Sequence, residues 1–524
     1  MTTPLAPPAT RRWWVLVVLC LSVLLVSVDN TIVNVALPTI GRELAASTSD
    51  LQWVVDGYTL AFAALLLLGG ALGDRYGRRR VLQLGLLAFA ATSLLASLAD
   101  TTGQLVAGRA AMGVSAAAIY PATLALLVTT FTDRRERATA IGIWSAVTGL
   151  SVAIGPVTGG LLLEHFAWGS VFLVNLPLAA VAVVAGRLLL TESAEREPRR
   201  FDLVGAAASV AGIGLLVWTT IEAPGRGWGS APTVGGYLAA VVALAFFVRW
   251  ELRRSQPLLD VRLFTDPRVS VGSGAIALAF FSLFGFIFLI TQYFQAVRGY
   301  DTLTAGLATL PFAVVIGAVS PLAILLMRAV GTKLVVAAGL VTMAAGFAVA
   351  AGSTLESDYW GRIVIAMVLM AGGLGLVTSP ATEAVMGALR TEEAGAGSAV
   401  NDTVREVGGT LGVAVVGSVL STVYGPSVTA ALTTAGSPAP AADSAADSVF
   451  AGLAVAGRLP ADATAAVQQS FLDGVSAGSW VAAAASAAGA LVVLAFLPAR
   501  HRTAAEPSPE LLDGPVPLQL GASR

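Results

Sequence analysis

The sequence predicts an all-α membrane protein with fourteen transmembrane helices. Of its 524 residues, 56% are hydrophobic and only 12% are charged, which leaves too little polar surface to cover a soluble protein of this size. The chain contains fourteen apolar runs, each close to the roughly 20 residues that a helix needs to cross a bilayer. The basic residues alternate between the connecting segments as the positive-inside rule requires.

The fourteen runs define the predicted spans in chain order. They lie near 13–37, 51–73, 80–99, 104–128, 137–163, 170–190, 203–221, 233–250, 269–293, 303–327, 334–351, 361–384, 396–421 and 475–497. The first run follows two arginines and resembles a secretory signal. It lacks a small-residue cleavage site and its apolar run is too long, so we interpret it as the first span.

The basic residues set the orientation. With a cytoplasmic N-terminus, 24 of the 31 basic residues fall in inner segments and five in outer segments, while Arg109 and Arg405 lie within spans. Cytoplasmic segments are enriched in arginine and lysine, and one missed span would reverse the bias downstream of it. We therefore expect fourteen spans with both termini in the cytoplasm.

Segment lengths divide the chain into two six-helix bundles and an inserted helix pair. The predicted parts are a cytoplasmic N-terminus at 1–12, the first bundle at 13–190, the inserted pair at 203–250, the second bundle at 269–497 and a disordered cytoplasmic tail at 498–524. The second bundle includes an extracytoplasmic loop at 422–472, rich in Ala, Ser, Pro and Asp. We expect this loop to hold one or two short helices.

Composition excludes several classes of function. The net charge of −1 indicates no nucleic-acid partner. One cysteine, Cys20, and two histidines, His165 and His501, exclude an intrachain disulfide and a cysteine- or histidine-based metal centre. The sole lysine, Lys333, lacks the glycine-rich lead of an ATP-binding loop. We expect no cofactor and an ion gradient as the energy source.

Asp29 lies deep within the first span, where an ionisable group is costly unless it faces protein or water. By helix rise, it lies about 6 Å from the outer face of the hydrocarbon core, and Asp56 and Arg109 each lie about 8 Å from that face. The three side chains therefore share a depth in one bundle. We expect a common site in which the two acids compete for Arg109, and a structural role for Arg109 in bracing the bundle is the alternative.

A second group of charges lies in the thirteenth span. Asp402, Arg405 and Glu406 are spaced i, i+3 and i+4, which places them on one helix face. An internal ion pair is one interpretation. Even then one acid is left over, and that acid is a candidate to titrate.

A basic turn joins the second and third spans. It contains Gly70, Gly73, Asp74, Arg75, Gly77 and Arg78. The glycines permit close packing, and Asp74 is placed to accept hydrogen bonds from the start of the third helix. These arginines also serve as a topogenic signal. The pattern G-x-L-x-D-R-x-G-R-R at this boundary resembles the signature of the major facilitator superfamily, in which the turn helps to latch and release the two bundles.

Two further motifs resemble the drug:proton antiporters of that superfamily. Arg109 and Gly113 match an R-x-x-x-G pattern in the fourth span. The fifth span contains Gly155, Pro156, Gly159 and Gly160, which resemble the antiporter signature, with Ser151 in place of the usual leading glycine. As packing alone, the proline kinks the helix and the glycines permit close contact. The stretch Trp168–Pro177 is similar to one found in the fourteen-helix branch.

The resemblance implies a multi-pass transporter of the bacterial cytoplasmic membrane. Its partners would be the lipid bilayer, protons and a hydrophobic, often cationic small molecule, and it would work as a monomer by alternating access. Asp29 is the first candidate to bind the proton or cation, with Asp56, Asp402 and Glu406 as further candidates and Arg109 and Arg405 as their charge partners. The alternatives are a proton-coupled transporter of one metabolite, whether importer or exporter, and a non-transporting sensor or enzyme.

Overall fold

The computed structural model describes residues 9–194, 202–389 and 394–498, and all regular structure within these ranges is helical. The first half contains α1 (Ala9–Glu43), α2 (Thr48–Tyr76), α3 (Arg78–Ser97), α4 (Thr102–Thr130), α5 (Arg134–His165), the short α6 (Ser170–Leu173) and α7 (Asn175–Leu189). The inserted pair is α8 (Leu203–Arg226) and α9 (Ala231–Glu251).

The second half follows a 3₁₀ turn at Val261–Thr265. It contains α10 (Pro267–Ala296), α11 (Thr302–Leu307), α12 (Leu310–Val330), α13 (Thr332–Ala351), a π-helical turn (Tyr359–Ile363), α14 (Val364–Gly387), α15 (Ala394–Thr434), α16 (Ala439–Ala445), α17 (Val449–Ala456) and α18 (Asp462–Phe496).

Twelve spans among the described residues are long and apolar enough to cross a membrane, and α2, bent by 52° around residue 67, raises the number to thirteen. Three of the twelve combine neighbouring elements, at Ser170–Leu189, Thr302–Val330 and Tyr359–Gly387. Large apolar side chains such as Leu188, Val242 and Leu491 are exposed, as expected for a surface in contact with lipid. The chain is a multi-pass membrane protein.

Two segments differ from the sequence prediction. The N-terminal segment 1–12 already enters α1 at Ala9. The segment 422–472, predicted as a loop with one or two short helices, is shorter as a connection, because α15 extends to Thr434 and α18 begins at Asp462. Between them lie the two short helices α16 and α17. Tyr424 stabilises this extension, because its hydroxyl lies 3.1 Å from the carbonyl oxygens of both Ala445 and Ser448 and shares its one hydrogen between them. All of the predicted tail 498–524 except Pro498 lies outside the described residues.

Close helix packing in each half depends on glycine. In the first half, α2 packs on α4, and a Cβ on Gly69 would collide with the carbonyl oxygen of Ala117. In the second half, α13 packs on α14, and a Cβ on Gly373 would collide with the carbonyl oxygen of Gly339. Backbones approach closely only where no side chain intervenes, so these positions fix the helix pairs.

The two halves meet along α2 and α15, α5 and α11, and α1 and α10. Gln295, near the end of α10, donates to Val35 near the end of α1, and Gln468, near the start of α18, donates to Ala296. These contacts place the α1–α2 connection and the start of α18 at one end of the molecule, here called the distal end. The start of α1 and the end of α18 therefore lie at the opposite, proximal end.

The inserted pair packs on the outside of one seam between the halves. α8 contacts both α2 and α15. An apolar cluster of Val217, Ile221 and Ala414, with Trp53 packed against it, fills this junction. The pair thus covers the α2–α15 seam.

Candidate functional site

A buried ion pair lies inside the first half. Arg109 of α4 donates from Nη1 to Asp29 Oδ2 of α1 at 2.6 Å, and both side chains are fully buried. Asn175, at the start of α7, donates to Asp29 Oδ1 at 2.8 Å. The guanidinium lies 4.3 Å from the centre of the Tyr58 ring, and its Nε donates to the carbonyl oxygen of Val54 at 2.9 Å. Both Asp29 oxygens are therefore hydrogen-bonded, one of them to a cation.

Asp56 is not part of this pair. It lies on the face of α2 that carries Gln52 and Thr59, and these two side chains contact α15. The Asp56 side chain is fully buried, and neither of its carboxyl oxygens has a hydrogen-bond partner among the described residues. Of the two acids expected to compete for Arg109, Asp29 holds it.

The three charges of the second half line a more open region. Arg405 Nη1 lies 3.9 Å from Asp402 Oδ1, and their side chains are 28% and 20% exposed. The Arg405 guanidinium also lies 5.2 Å from the centre of the Phe280 ring. Glu406 Oε2 is buried and has no partner among the described residues. The expected ion pair is long and partly solvated. No cluster of His, Cys, Asp and Glu in the described ranges is arranged to hold a metal ion.

An aromatic wall in the first half faces these acids. It consists of Tyr58, Phe62, Tyr120 and Trp144, whose successive ring centres lie 6.0, 5.7 and 5.2 Å apart. Tyr120 is close enough to interact electrostatically with the charges of α15, including Glu406. Aromatic faces and carboxylates are the groups that bind hydrophobic cations in proteins.

Sequence reasoning did not single out Asn175, Gln52 or the aromatic wall. Asn175 and Gln52 carry a usable signal, because each is a polar residue in or beside an apolar run. The aromatic residues carry none, since aromatic side chains occur throughout membrane helices and their convergence depends on helix rotation.

The Gly-Pro segment of α5 lies where α5 crosses α1 and α11. Added Cβ atoms on Gly155 and Gly159 would collide with Thr31 and Ile32 of α1, and one on Gly160 would collide with Leu303 of α11. Helix α5 continues through Pro156, whose carbonyl oxygen abuts Gly306 of α11. The motif therefore allows one helix to pack closely against both halves.

Helix α11 begins with a capping carboxylate at this crossing. Asp301 accepts a hydrogen bond from the Thr304 backbone N–H at 2.7 Å, which holds the pKa of this carboxyl below its usual value. Thr302 donates to the carbonyl oxygen of Gly160 at 3.3 Å. The cap thus fixes the start of the helix that receives α5.

Ion pairs and charged caps hold the basic turn between α2 and α3, but the residue that caps α3 is not the predicted Asp74. Asp74 does not cap α3 but accepts from Nε and Nη2 of Arg78, at 2.9 and 2.7 Å. The N-terminus of α3 is instead bound by Glu192, which follows α7 and accepts from the Arg79 backbone N–H at 3.0 Å. Gly77 joins the helices with φ +104°. Gly70 and Gly73 meet only ordinary neighbours, and Arg75 stacks on the Tyr76 ring.

We expect Gly77→Ala to lower the free energy of unfolding by about 1–3 kcal/mol, because a side chain disfavours this positive φ and its Cβ would lie 2.6 Å from Glu192 Oε1. Chemical denaturation in detergent measures the change. Gly70→Ala is the matched control, since its Cβ would meet Pro121 at 3.6 Å, an ordinary contact. Equal stability of the two variants would contradict the role assigned to Gly77.

Polar contacts between the halves cluster from the distal end to the middle of the molecule. Thr48 donates to the carbonyl oxygen of Asp447 from both its backbone N–H and its hydroxyl. Gln52 donates to Val413 O and Ala414 O at 3.1 and 2.9 Å. These bonds join α2 to α15 and its following segment, so the two halves are closed against each other at the distal end along this seam.

Comparison with known proteins identifies relatives across most of the chain. The model of the Major Facilitator Superfamily matches residues 19–413. The multidrug efflux pump LfrA of Mycolicibacterium smegmatis is 36% identical over 489 residues, covering 92% of this chain and 96% of that protein. The puromycin resistance protein pur8 of Streptomyces alboniger is 39% identical, covering 79% of this chain and 82% of that protein. The methyl viologen resistance protein SmvA of Salmonella typhimurium is 35% identical, covering 80% and 84% respectively.

Solved structures share the fold at low sequence identity. A bacterial homologue of the human lysosomal transporter Spinster, in an inward-facing and unoccupied conformation, aligns with a TM-score of 0.65 at 17% identity, covering 93% of this chain and 98% of that chain. The POT family transporter PepTSo aligns with a TM-score of 0.62 at 16% identity, covering 92% and 98%.

Proposed function

Because this chain belongs to the major facilitator superfamily, we propose that it is a proton-coupled antiporter that exports hydrophobic, often cationic drugs or antibiotics by alternating access. The observation that carries the proposal is the aromatic wall of Tyr58, Phe62, Tyr120 and Trp144 opposite Asp402 and Glu406. A lipophilic cation gains ring stacking from one side of this region and charge attraction from the other. The names of LfrA, pur8 and SmvA support a role in drug resistance.

Asp56 is the acid whose surroundings best fit the coupled proton. Asp29 already shares its charge with Arg109 and accepts from Asn175 on its other oxygen. Protonating it would displace one of these donors and remove the negative charge that pairs with the buried Arg109. Asp56 has no such partner, and a proton would neutralise it without breaking a contact. Entry of one proton down a potential of 100 mV supplies about 2.3 kcal/mol.

The proposed topology has fourteen spans with both termini in the cytoplasm. The 32-residue α5 is the remaining span, beside the twelve and the bent α2. The basic segments support a cytoplasmic proximal end, and the start of α1 and the end of α18 share that end. The protein would work as a monomer without a cofactor, driven by the proton gradient, in the cytoplasmic membrane of a bacterium.

With the proximal end in the cytoplasm, the contacts that close the halves at the distal end correspond to a state that is closed to the outside.

Purified protein in liposomes tests the function. We expect an imposed pH gradient to drive ethidium against its concentration gradient, in the direction opposite to proton flow. Ethidium that moves with protons, or that does not respond to the gradient, would contradict antiport. A panel of single antibiotics in the same assay separates a multidrug exporter from an exporter of one compound.

We expect Trp144→Ala to raise the Kd for ethidium by about 3- to 30-fold, the loss expected from removing one aromatic face near a cation. Fluorescence titration of the purified variant measures it. Trp144→Phe is the matched control: it keeps a ring while removing the indole N–H that donates to Thr123 at 3.2 Å. If the alanine variant binds ethidium as tightly as the phenylalanine variant, the aromatic wall is not the binding surface.

A further inference from the structure

The seam between α2 and α15 contains a continuous set of buried polar side chains. Gln52, Asp56 and Thr59 lie at i, i+4 and i+7 on α2, on one helix face. Thr410 and Ser418 face them from α15. All five side chains are fully buried. Ser, Thr and Gln also hydrogen-bond across membrane helices in purely structural seams, but a buried carboxyl such as that of Asp56 within the membrane indicates a function.

The central pair of hydroxyls forms a chain that works in either direction. Thr410 Oγ1 lies 2.9 Å from Thr59 Oγ1 and also 2.9 Å from the carbonyl oxygen of Glu406. Thr59 Oγ1 lies 3.4 Å from the carbonyl oxygen of Val55 and beside the Asp56 carboxyl. Each hydroxyl has one hydrogen and more than one acceptor in reach, so the chain can reverse its direction without moving a helix.

Unsatisfied acceptors flank this hydroxyl pair. Gln52 Oε1, both carboxyl oxygens of Asp56 and Glu406 Oε2 are buried and without a partner among the described residues. Buried acceptors of this kind are satisfied by ordered water or by a proton. Helix packing alone does not explain four buried acceptors without partners along one seam.

The inserted helix α8 separates this seam from lipid. Ser418 donates to the carbonyl oxygen of Thr220 at 2.8 Å, and Gln52 Nε2 lies 3.4 Å from the Ser418 hydroxyl. Val217 and Ile221 of α8 seal the side of the seam beside Ala414. The charged groups that act on Tyr58, two residues from Asp56 on α2, are Asp29, Arg109 and Glu406, and Arg109 is committed to Asp29. On α8 the nearest charges are Glu222 and Arg226, which pair with each other at 3.2 Å near its distal end.

We propose that these residues form a proton path: a file of ordered water and exchangeable hydroxyls, covered by α8, that passes through Asp56. Gln52 and Ser418 line the path on the distal side of Asp56, and Thr59 and Thr410 line it on the proximal side, so that protons enter from the distal end and leave Asp56 past the two threonines. The four residues that line the path are not part of the aromatic wall, and they are buried while the distal side is closed to substrate. This inference rests on the proposed antiport function and specifies where its protons travel.

The test separates proton movement from substrate movement. In liposomes, equilibrium exchange of ethidium needs the carrier to reorient with substrate bound, whereas transport driven by a pH gradient also needs protons to enter and leave. We expect the Thr59→Val, Thr410→Val double variant to slow driven transport about tenfold or more, because valine keeps the shape but removes the hydroxyl chain. Exchange should stay within about twofold of wild type.

The matched control is Thr291→Val, which removes a buried hydroxyl that donates to Ile287 O of its own helix α10. It should leave both rates unchanged. Equal slowing of exchange and driven transport in the double variant would assign the hydroxyls to the gate alone, and an unchanged driven rate would remove them from the path. Either result overturns the proposal. Wild-type protein that exchanges ethidium but ignores the pH gradient would overturn antiport itself.

Discussion

Arg109→Gln is expected to lower the free energy of unfolding by roughly 3–5 kcal/mol, because it leaves the Asp29 carboxylate buried without its cation. The loss is large because both side chains are fully buried and lie 2.6 Å apart, so water does not compensate for the missing charge. Asp29→Asn should cost a similar amount by stranding Arg109. Denaturant unfolding in detergent, followed by tryptophan fluorescence, measures both variants.

The double variant Asp29→Asn, Arg109→Gln provides the decisive comparison. If the two charges interact mainly with each other, removing both should recover most of the stability lost by either single change. Additive losses would show that each charge is held by other groups. If the double variant recovers stability, then a loss of transport in Asp29→Asn is explained by a destabilised first half. Normal thermal stability of Asp29→Asn would contradict that explanation.

Asp56→Asn is expected to reduce proton-driven transport strongly while changing stability little, the reverse of what is expected for Arg109→Gln. Its stability should fall by clearly less than the roughly 3–5 kcal/mol expected for Arg109→Gln, because asparagine has nearly the same shape and the carboxyl oxygens it replaces make no hydrogen bond among the described residues. Transport of ethidium driven by a pH gradient should fall about 100-fold or more, because an amide cannot take up and release the coupled proton. Ethidium binding and equilibrium exchange should persist, since Asp56 lies in the seam and not on the aromatic wall.

Transport assays in liposomes, with binding and unfolding measured on the same preparation, separate these effects. Glu222→Gln is the matched control, because it neutralises a half-exposed acid of α8 that pairs with Arg226. It should transport normally. Driven transport by Asp56→Asn at the wild-type rate would place the coupled proton on another acid, with Glu406 the next candidate.

Much of the fold can be predicted from length and hydropathy, because a bilayer requires long apolar helices and leaves few alternatives. The same reasoning placed Asp29 and Arg109 at one depth, and the structure pairs them. Depth along a helix follows from the rise per residue, so this prediction needed no knowledge of helix packing.

The direction in which each side chain points could not be predicted in the same way. Asp56 lies at a similar depth to Asp29 but faces α15, and that direction is set by how α2 packs between α4 and α15. The Glu192 cap on α3 depends on a segment more than a hundred residues away. Helices α15 and α18 extend into both ends of the expected loop, because alanine favours the helix and an alanine-rich sequence carries no clear signal for where a helix ends.

The central claim is that substrate and proton compete within one antiporter. The most direct test is to measure whether substrate binding releases protons. Weakly buffered, detergent-purified protein is mixed with ethidium near the midpoint of its pH response, and a pH-sensitive dye reports the protons released. Wild-type protein should release protons as ethidium binds, and Asp56→Asn should bind ethidium without releasing them. Binding without proton release in the wild type, or undiminished release from Asp56→Asn, would contradict the account.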